Sequence, residues 1–241
     1  MNSRRDSAPS VLFDLDGTLV DSEPNAYESA RRLLERYGVA DFTWEQNARF
    51  LGISNREALT VLRAEYGLGA SVDELVAGQD ALYLELARSS TQVFPQMRKF
   101  VERLHGEGVA MAVASGSSPA AIEAVLAGTG LDACFTLCVS ADEVARGKPE
   151  PDVFLEAARR LGSAPADCVV VEDAVPGATA ARAAGMRCIA VPYVAATASA
   201  PVFAAADLLF PGGQDEFTAQ AAYDWLFPRS GSVPARPDPS S

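Results

Sequence analysis

Unbroken apolar runs punctuate the chain at 11–13, 109–114, 168–171 and 188–191. Runs of this length with no polar alternation suit strands buried on both faces of a parallel sheet. Segments of helical period at 95–105, 120–127, 152–161 and 178–184 separate them, with a last one at 217–226. Weaker strands are expected at 136–139 and 207–210. Alternating strand and helix predicts an α/β fold, a doubly wound parallel sheet.

Residues 22–93 break this alternation. They carry four helical patterns, 26–37, 44–50, 56–66 and 72–87, and no convincing strand. An all-helical domain inserted after the first strand is expected, with the sheet domain made of 10–21 and 94–227. The polar segment 1–9 and the Pro- and Ser-rich segment 228–241 cannot bury much surface and are expected to be disordered.

The first apolar run ends in Asp14 and Asp16, followed by Gly17. Side chains two apart on an extended segment share a face, and ligands of open α/β sheets gather at the carboxyl ends of the strands. Two bare carboxylates held close repel each other. A divalent cation on Asp14 relieves this and leaves Asp16 free to exchange protons. Asp-rich turns also arise from Asx hydrogen bonding to the backbone, so this segment alone leaves both readings open.

Three more clusters follow strand-like runs. Ser115-Gly116-Ser117-Ser118 precedes a helix opened by Pro119, which fits either an anion site at a helix N-terminus or a plain N-cap. Gly147-Lys148-Pro149 holds one of the chain's two lysines, the other being Lys99. A compact ammonium delivers point charge that a guanidinium cannot imitate. Glu172 and Asp173 close the run 168–171. One of them beside Asp14 would complete a hard-cation site of the Mg²⁺ type, although acids near a helix start are also explained by the helix dipole.

Composition narrows the field. The chain has 241 residues, 49% hydrophobic and 22% charged, as in ordinary globular proteins. Its net charge of −12 and lack of a basic stripe speak against nucleic-acid binding. No apolar stretch approaches the ~20 residues that span a membrane, and 1–9 lacks the apolar segment of a signal peptide. A cytoplasmic monomer is expected. The four cysteines have no zinc spacing and read as reduced core thiols. The single histidine, His105, reads as a helix-end residue, which makes Ser-His-Asp or Cys-His catalysis a poor fit.

Phe-Asp-Leu-Asp-Gly-Thr, Ala-Ser-Gly-Ser, Gly-Lys-Pro-Glu-Pro-Asp and Val-Glu-Asp-Ala-Val-Pro-Gly stand in this order over residues 10–192. Together they resemble the motifs of the haloacid dehalogenase superfamily. The inserted helical block resembles the small cap of its β-phosphoglucomutase-like branch. The resemblance implies a Rossmann-like core and a Mg²⁺-dependent phosphoryl-transfer enzyme acting on a small phosphate ester. Asp14 would be the nucleophile and Asp16 the general acid/base. Ser115 and Lys148 would hold the phosphate, within a site formed by Asp14, Leu15, Asp16, Ser115, Gly116, Ser117 and Lys148. The metal ligands would be Asp14, the Asp16 carbonyl and Asp173, with Glu172 bound directly or lying just behind.

Within this family, dehalogenases lack the second Asp and phosphonatases need a cap lysine, which 22–93 does not contain. The mutases carry a His where this chain has Ala26, a Lys near Leu51 and an Arg near Asn55. All three are missing, although Arg49 and Arg56 are candidate substitutes; without a cap cation to grip a second phosphate, a phosphatase is expected over a sugar phosphomutase. A non-catalytic binding protein on the same scaffold is the remaining alternative. Glu23, Trp44, Arg49, Gly52, Asn55 and Arg56 are the cap or hinge candidates for contacting the leaving group.

Overall fold

Every residue of Ser10–Phe13 is buried, and this first strand, β1, lies in the middle of a six-stranded parallel sheet. The computed structural model describes residues 8–50 and 55–228. Almost all of the two tails expected to be disordered, and Gly52 among the cap candidates, fall outside the described residues.

After β1 the chain forms β2 (Val20–Asp21), then α1 (Glu23–Arg36), α2 (Trp44–Ala48), α3 (Asn55–Tyr66) and α4 (Val72–Ser90). It returns through β3 (Gln92–Val93) and α5 (Pro95–Gly106) to β4 (Met111–Ser115). There follow α6 (Pro119–Thr129), β5 (Cys138–Ser140), α7 (Asp152–Leu161), β6 (Cys168–Glu172), α8 (Val175–Ala183), β7 (Arg187–Ala190), α9 (Pro201–Ala204), β8 (Leu208–Leu209) and α10 (Ala219–Leu226). The sheet order is β5-β4-β1-β6-β7-β8.

Alternate residues of the strands feed two different apolar layers, as the period of two requires. Val11, Phe13, Val113 and Val171 pack with α5, α6 and α10 on one face. Leu12, Ala112, Ala114 and Val170 pack with α7, α8 and α9 on the other. This covering of both faces is why the strand runs are apolar throughout. A third cluster, including Leu33, Leu34, Leu59, Leu62 and Leu75, is drawn from α1, α3 and α4 together with Phe42 and Leu68.

Several expected boundaries move. Segment 22–93 does contain a strand: β3 pairs antiparallel with β2, so the chain leaves and re-enters the sheet region side by side. Two residues are too few to show a period. The buried Asn25 ties these crossings together, donating to the Thr91 hydroxyl and accepting from that of Ser90. Strand 109–114 starts later, because the Val109 N–H turns back to the Leu104 carbonyl to close α5. Helices α1 and α8 start three residues before expectation, with Pro24 and Pro176 in the first turn, where a missing N–H costs nothing. Of the four free cysteines only Cys168 and Cys188 are buried; Cys134 and Cys138 are half-buried. His105 lies in the last turn of α5. Among the described residues no helix is long and apolar enough to cross a membrane.

Candidate active site

Parallel pairing in register places the carboxyl ends of β4, β1 and β6 side by side, with Phe13 opposite both Val113 and Val171. The residues that follow are therefore delivered to one edge. Asp14 stays anchored to the sheet, its N–H donating to the Val171 carbonyl. Asp14, Glu172 and Asp173 are all buried, and one carboxylate oxygen from each lies within 4.8 Å of the others.

Lys148 reaches this cluster from the loop between β5 and α7. Its ammonium donates to Asp14 Oδ1 at 2.5 Å and to Glu172 Oε1 at 2.7 Å, and lies 4.9 Å from the centroid of the Phe154 ring. The other Glu172 oxygen accepts from the Ala174 N–H at 2.8 Å. Asp173 accepts from the buried Thr18 hydroxyl at 2.9 Å. Gly17 has φ of +78°, and a β-carbon there would fall 2.5 Å from Asp173 Oδ2. Glycine thus serves both the turn and the close approach.

Burial, reinforced by the carboxylates of Glu172 and Asp16, lifts the Asp14 pKa to about 7 against the pull of Lys148. Asp173 is pushed up by burial and by Glu172 and Asp14. Burial works against the Lys148 charge, but Asp14 and Glu172 outweigh it and hold its pKa above the usual lysine value. Three buried carboxyl groups face one ammonium, and a further cation would relieve the repulsion that pushes the pKa values of Asp14 and Asp173 up. Their oxygens are hard donors of the kind Mg²⁺ takes, so this donor set fits such a cation.

Asp16 is half-buried and held from two sides. Its Oδ2 accepts from the Ser117 hydroxyl at 2.6 Å and from that of Ser115 at 3.4 Å, while Oδ1 accepts from the Tyr83 hydroxyl at 3.2 Å. Ser140 fixes the serine loop by donating to the Ser117 carbonyl at 2.7 Å. The serine cluster divides its work: Ser118 caps α6, accepting from the Ala121 N–H, whereas Ser115 and Ser117 turn toward Asp16. The Leu15 side chain is in the core, which leaves only its backbone for the site.

A cleft of about 910 Å³ opens above this edge, lined by Asp14, Asp16, Gly116, Ser117, Lys148, Glu172 and Asp173 and roofed by α1, α3 and α4. Of the cap candidates, Glu23, Asn55 and Arg56 line it. Burial, with Asp16 and Asp21 nearby, raises the Glu23 pKa to about 7. Arg56 is paired with Asp73. Trp44 and Arg49 are placed elsewhere: the Trp44 ring packs edge-on against Tyr27, and the Arg49 guanidinium is bound by Glu65. Sequence reasoning missed Tyr83, which reads locally as one more residue of an apolar helix stripe. It also missed Gln214, whose amide donates to the Gly17 and Thr18 carbonyls. Thr18 alone carried a signal, as part of the Asp-Gly-Thr run.

A sequence model of haloacid dehalogenase-like hydrolases matches residues 9–185. The chain is 38% identical over 192 residues to the bifunctional riboflavin kinase/FMN phosphatase of Arabidopsis thaliana, covering 79% of this chain and spanning half of that protein. It is 36% identical over 186 residues to the fructose-1-phosphate phosphatase YqaB of Escherichia coli, covering 75% of this chain and 95% of that one. Its fold superimposes on that of β-phosphoglucomutase from Clostridium difficile with a TM-score of 0.71 at 22% identity, covering 91% of this chain and 97% of the other. The chain belongs to the haloacid dehalogenase-like hydrolase family.

Proposed function

We propose that this chain is a Mg²⁺-dependent phosphatase that hydrolyses a small organic phosphate monoester through an aspartyl-phosphate on Asp14. The observation that carries the reading is the convergence of Asp14, Lys148, Glu172 and Asp173 in one buried cluster at the floor of the cleft. Relatives named as phosphatases support it.

Asp14, Asp173 and the Asp16 backbone carbonyl would hold the cation, with Glu172 at its side. When bound, Mg²⁺ supplies positive charge that offsets repulsion between carboxylate and phosphate. Asp14 attacks phosphorus as the ester oxygen leaves, which splits a difficult hydrolysis into two displacements. Lys148 already lies on Asp14 and brings charge to the phosphoryl oxygens. Gly116 and Ser117, with the Leu15 and Asp16 backbone, border the phosphate, whereas Ser115, expected to hold it, is fully buried outside the cleft lining and instead braces Asp16 and the Ser117 N–H. Asp16 protonates the leaving alcohol and then takes a proton from the water that resolves the intermediate. The helices over the cleft shut out bulk water while this happens. We take residues 10–21 and 94–227 as the catalytic domain and 22–93 as its cap.

A mutase must also grip a second phosphate from the cap. Among the described residues, Arg56 is the cap cation lining the cleft, and Asp73 already occupies it. Phosphate release should be screened over sugar phosphates, polyol phosphates, phosphoglycolate and nucleotides, with Mg²⁺ and with chelator. Metal-dependent release from a subset of these esters is expected. Release undiminished by chelator, or none from any ester, would contradict the reading.

A further inference from the structure

Tyr83 stands where α4 passes from one apolar cluster to another. Leu75 and Leu82 belong to the cluster shared with α1 and α3, whereas Ala87 belongs to the sheet cluster, against which Tyr83 and Leu84 pack. The end of α4 is pressed onto α6: a β-carbon on Gly128 would meet the Ala87 and Arg88 carbonyl oxygens at 2.8 Å. The Tyr83 ring is therefore fixed by packing at the base of the cap. Tyr83 lines the cleft, and its hydroxyl donates to Asp16 Oδ1 at 3.2 Å.

The terminal torsion of an aspartate is broad, so a carboxyl group held at one oxygen samples many orientations. Here Ser117 and Ser115 hold Oδ2 and Tyr83 holds Oδ1. We propose that Tyr83 is a positioning residue that fixes the cap-facing oxygen of Asp16 where the leaving alcohol departs, which rests on the phosphatase reading above. In the first displacement the P–O bond breaks, and its electron pair goes to the alcohol oxygen. That oxygen takes the Asp16 proton, and the resulting carboxylate charge is met by the Tyr83 and Ser117 hydroxyls. A phenol keeps its proton near neutral pH, so Tyr83 stays a donor throughout.

The test compares the wild-type enzyme, Tyr83→Phe and Tyr83→Leu on p-nitrophenyl phosphate and on the alkyl phosphate that is hydrolysed fastest. Tyr83→Phe keeps the ring packing and loses only the hydroxyl. Its kcat on the alkyl ester should fall roughly 10-fold, a fraction of what general acid catalysis supplies, with KM and Tm nearly unchanged. The aryl ester, whose leaving group needs little protonation, should lose less. Tyr83→Leu should lose stability as well. An unchanged alkyl-to-aryl ratio in Tyr83→Phe, with the wild-type enzyme active, would overturn the role of Tyr83 and leave the phosphatase reading intact. A wild-type enzyme inert on every ester would overturn both.

Discussion

A methyl group on Gly177 would overlap the carboxylate of Glu172. Gly177 lies in the first turn of α8, where Gly→Ala ordinarily stabilises a helix by about 0.5–1 kcal/mol. Here the sign reverses. Glu172 is buried and bound to Lys148 and to the Ala174 N–H, so it has nowhere to retreat without breaking both bonds. Gly177→Ala should lose about 1–3 kcal/mol, the usual cost of overpacking. Its turnover should fall by up to roughly 10²-fold as the cluster shifts. Thermal unfolding and phosphate release measure these; a variant as stable as wild type would refute the close contact.

Lys148→Arg keeps the charge and loses the fit. The Lys148 side chain is 11% exposed and its nitrogen touches Asp14 and Glu172 at once. A planar guanidinium cannot occupy that point. Turnover should drop by at least ~10²-fold, the scale of removing one preorganised electrostatic contact. Near-normal kcat would show that turnover does not need the point contact of the ammonium.

Asp14 and Asp16 are two residues apart but bound to different partners, Lys148 for one and Tyr83 with Ser117 for the other. Asp14→Asn should abolish turnover and weaken Mg²⁺ binding. Asp16→Asn keeps its backbone carbonyl, so Mg²⁺ and substrate should bind nearly normally while turnover becomes very slow. Its loss should be smallest for aryl phosphates, with a burst followed by a slow steady state. Equal losses on aryl and alkyl esters without a burst would remove Asp16 from the acid/base role.

Ser71 starts α4 with a capping box, its hydroxyl accepting from the Glu74 N–H while the Glu74 carboxylate accepts from the Ser71 N–H. Ser71→Ala should cost about 0.5–2 kcal/mol. Because Ser71 is exposed and lies outside the cleft lining, kcat should hold while Tm falls. An unchanged Tm would show that this end of α4 contributes nothing to stability.

How much of this was legible in the sequence follows from the range of each interaction. The sheet could be read because Val11–Phe13 and Val169–Val171 face apolar layers on both sides, which writes a continuous apolar run. The carboxylate cluster could be read only in part: a parallel sheet aligns strand ends, which brings the Glu172-Asp173 pair to the edge that holds Asp14, while the local pattern fits acids at a helix start equally well. The helical roof offered no such rule. Trp44 and Arg49 looked free until Tyr27 and Glu65 claimed them, and Tyr83 reaches Asp16 across 67 positions of sequence. Strands β2 and β3 exist only because their two-residue segments cross, which no local pattern records.

Borohydride trapping asks whether phosphate passes through a covalent bond to Asp14. The acyl-phosphate of an enzyme mixed with substrate and Mg²⁺ is reduced to the alcohol, and the modified residue is read by peptide mass spectrometry. Asp16→Asn should raise the trapped fraction, because the intermediate then resolves slowly. Reduction is expected at Asp14, dependent on substrate and absent from Asp14→Asn. Turnover with no trapped product, or a modification at any other residue, would contradict it.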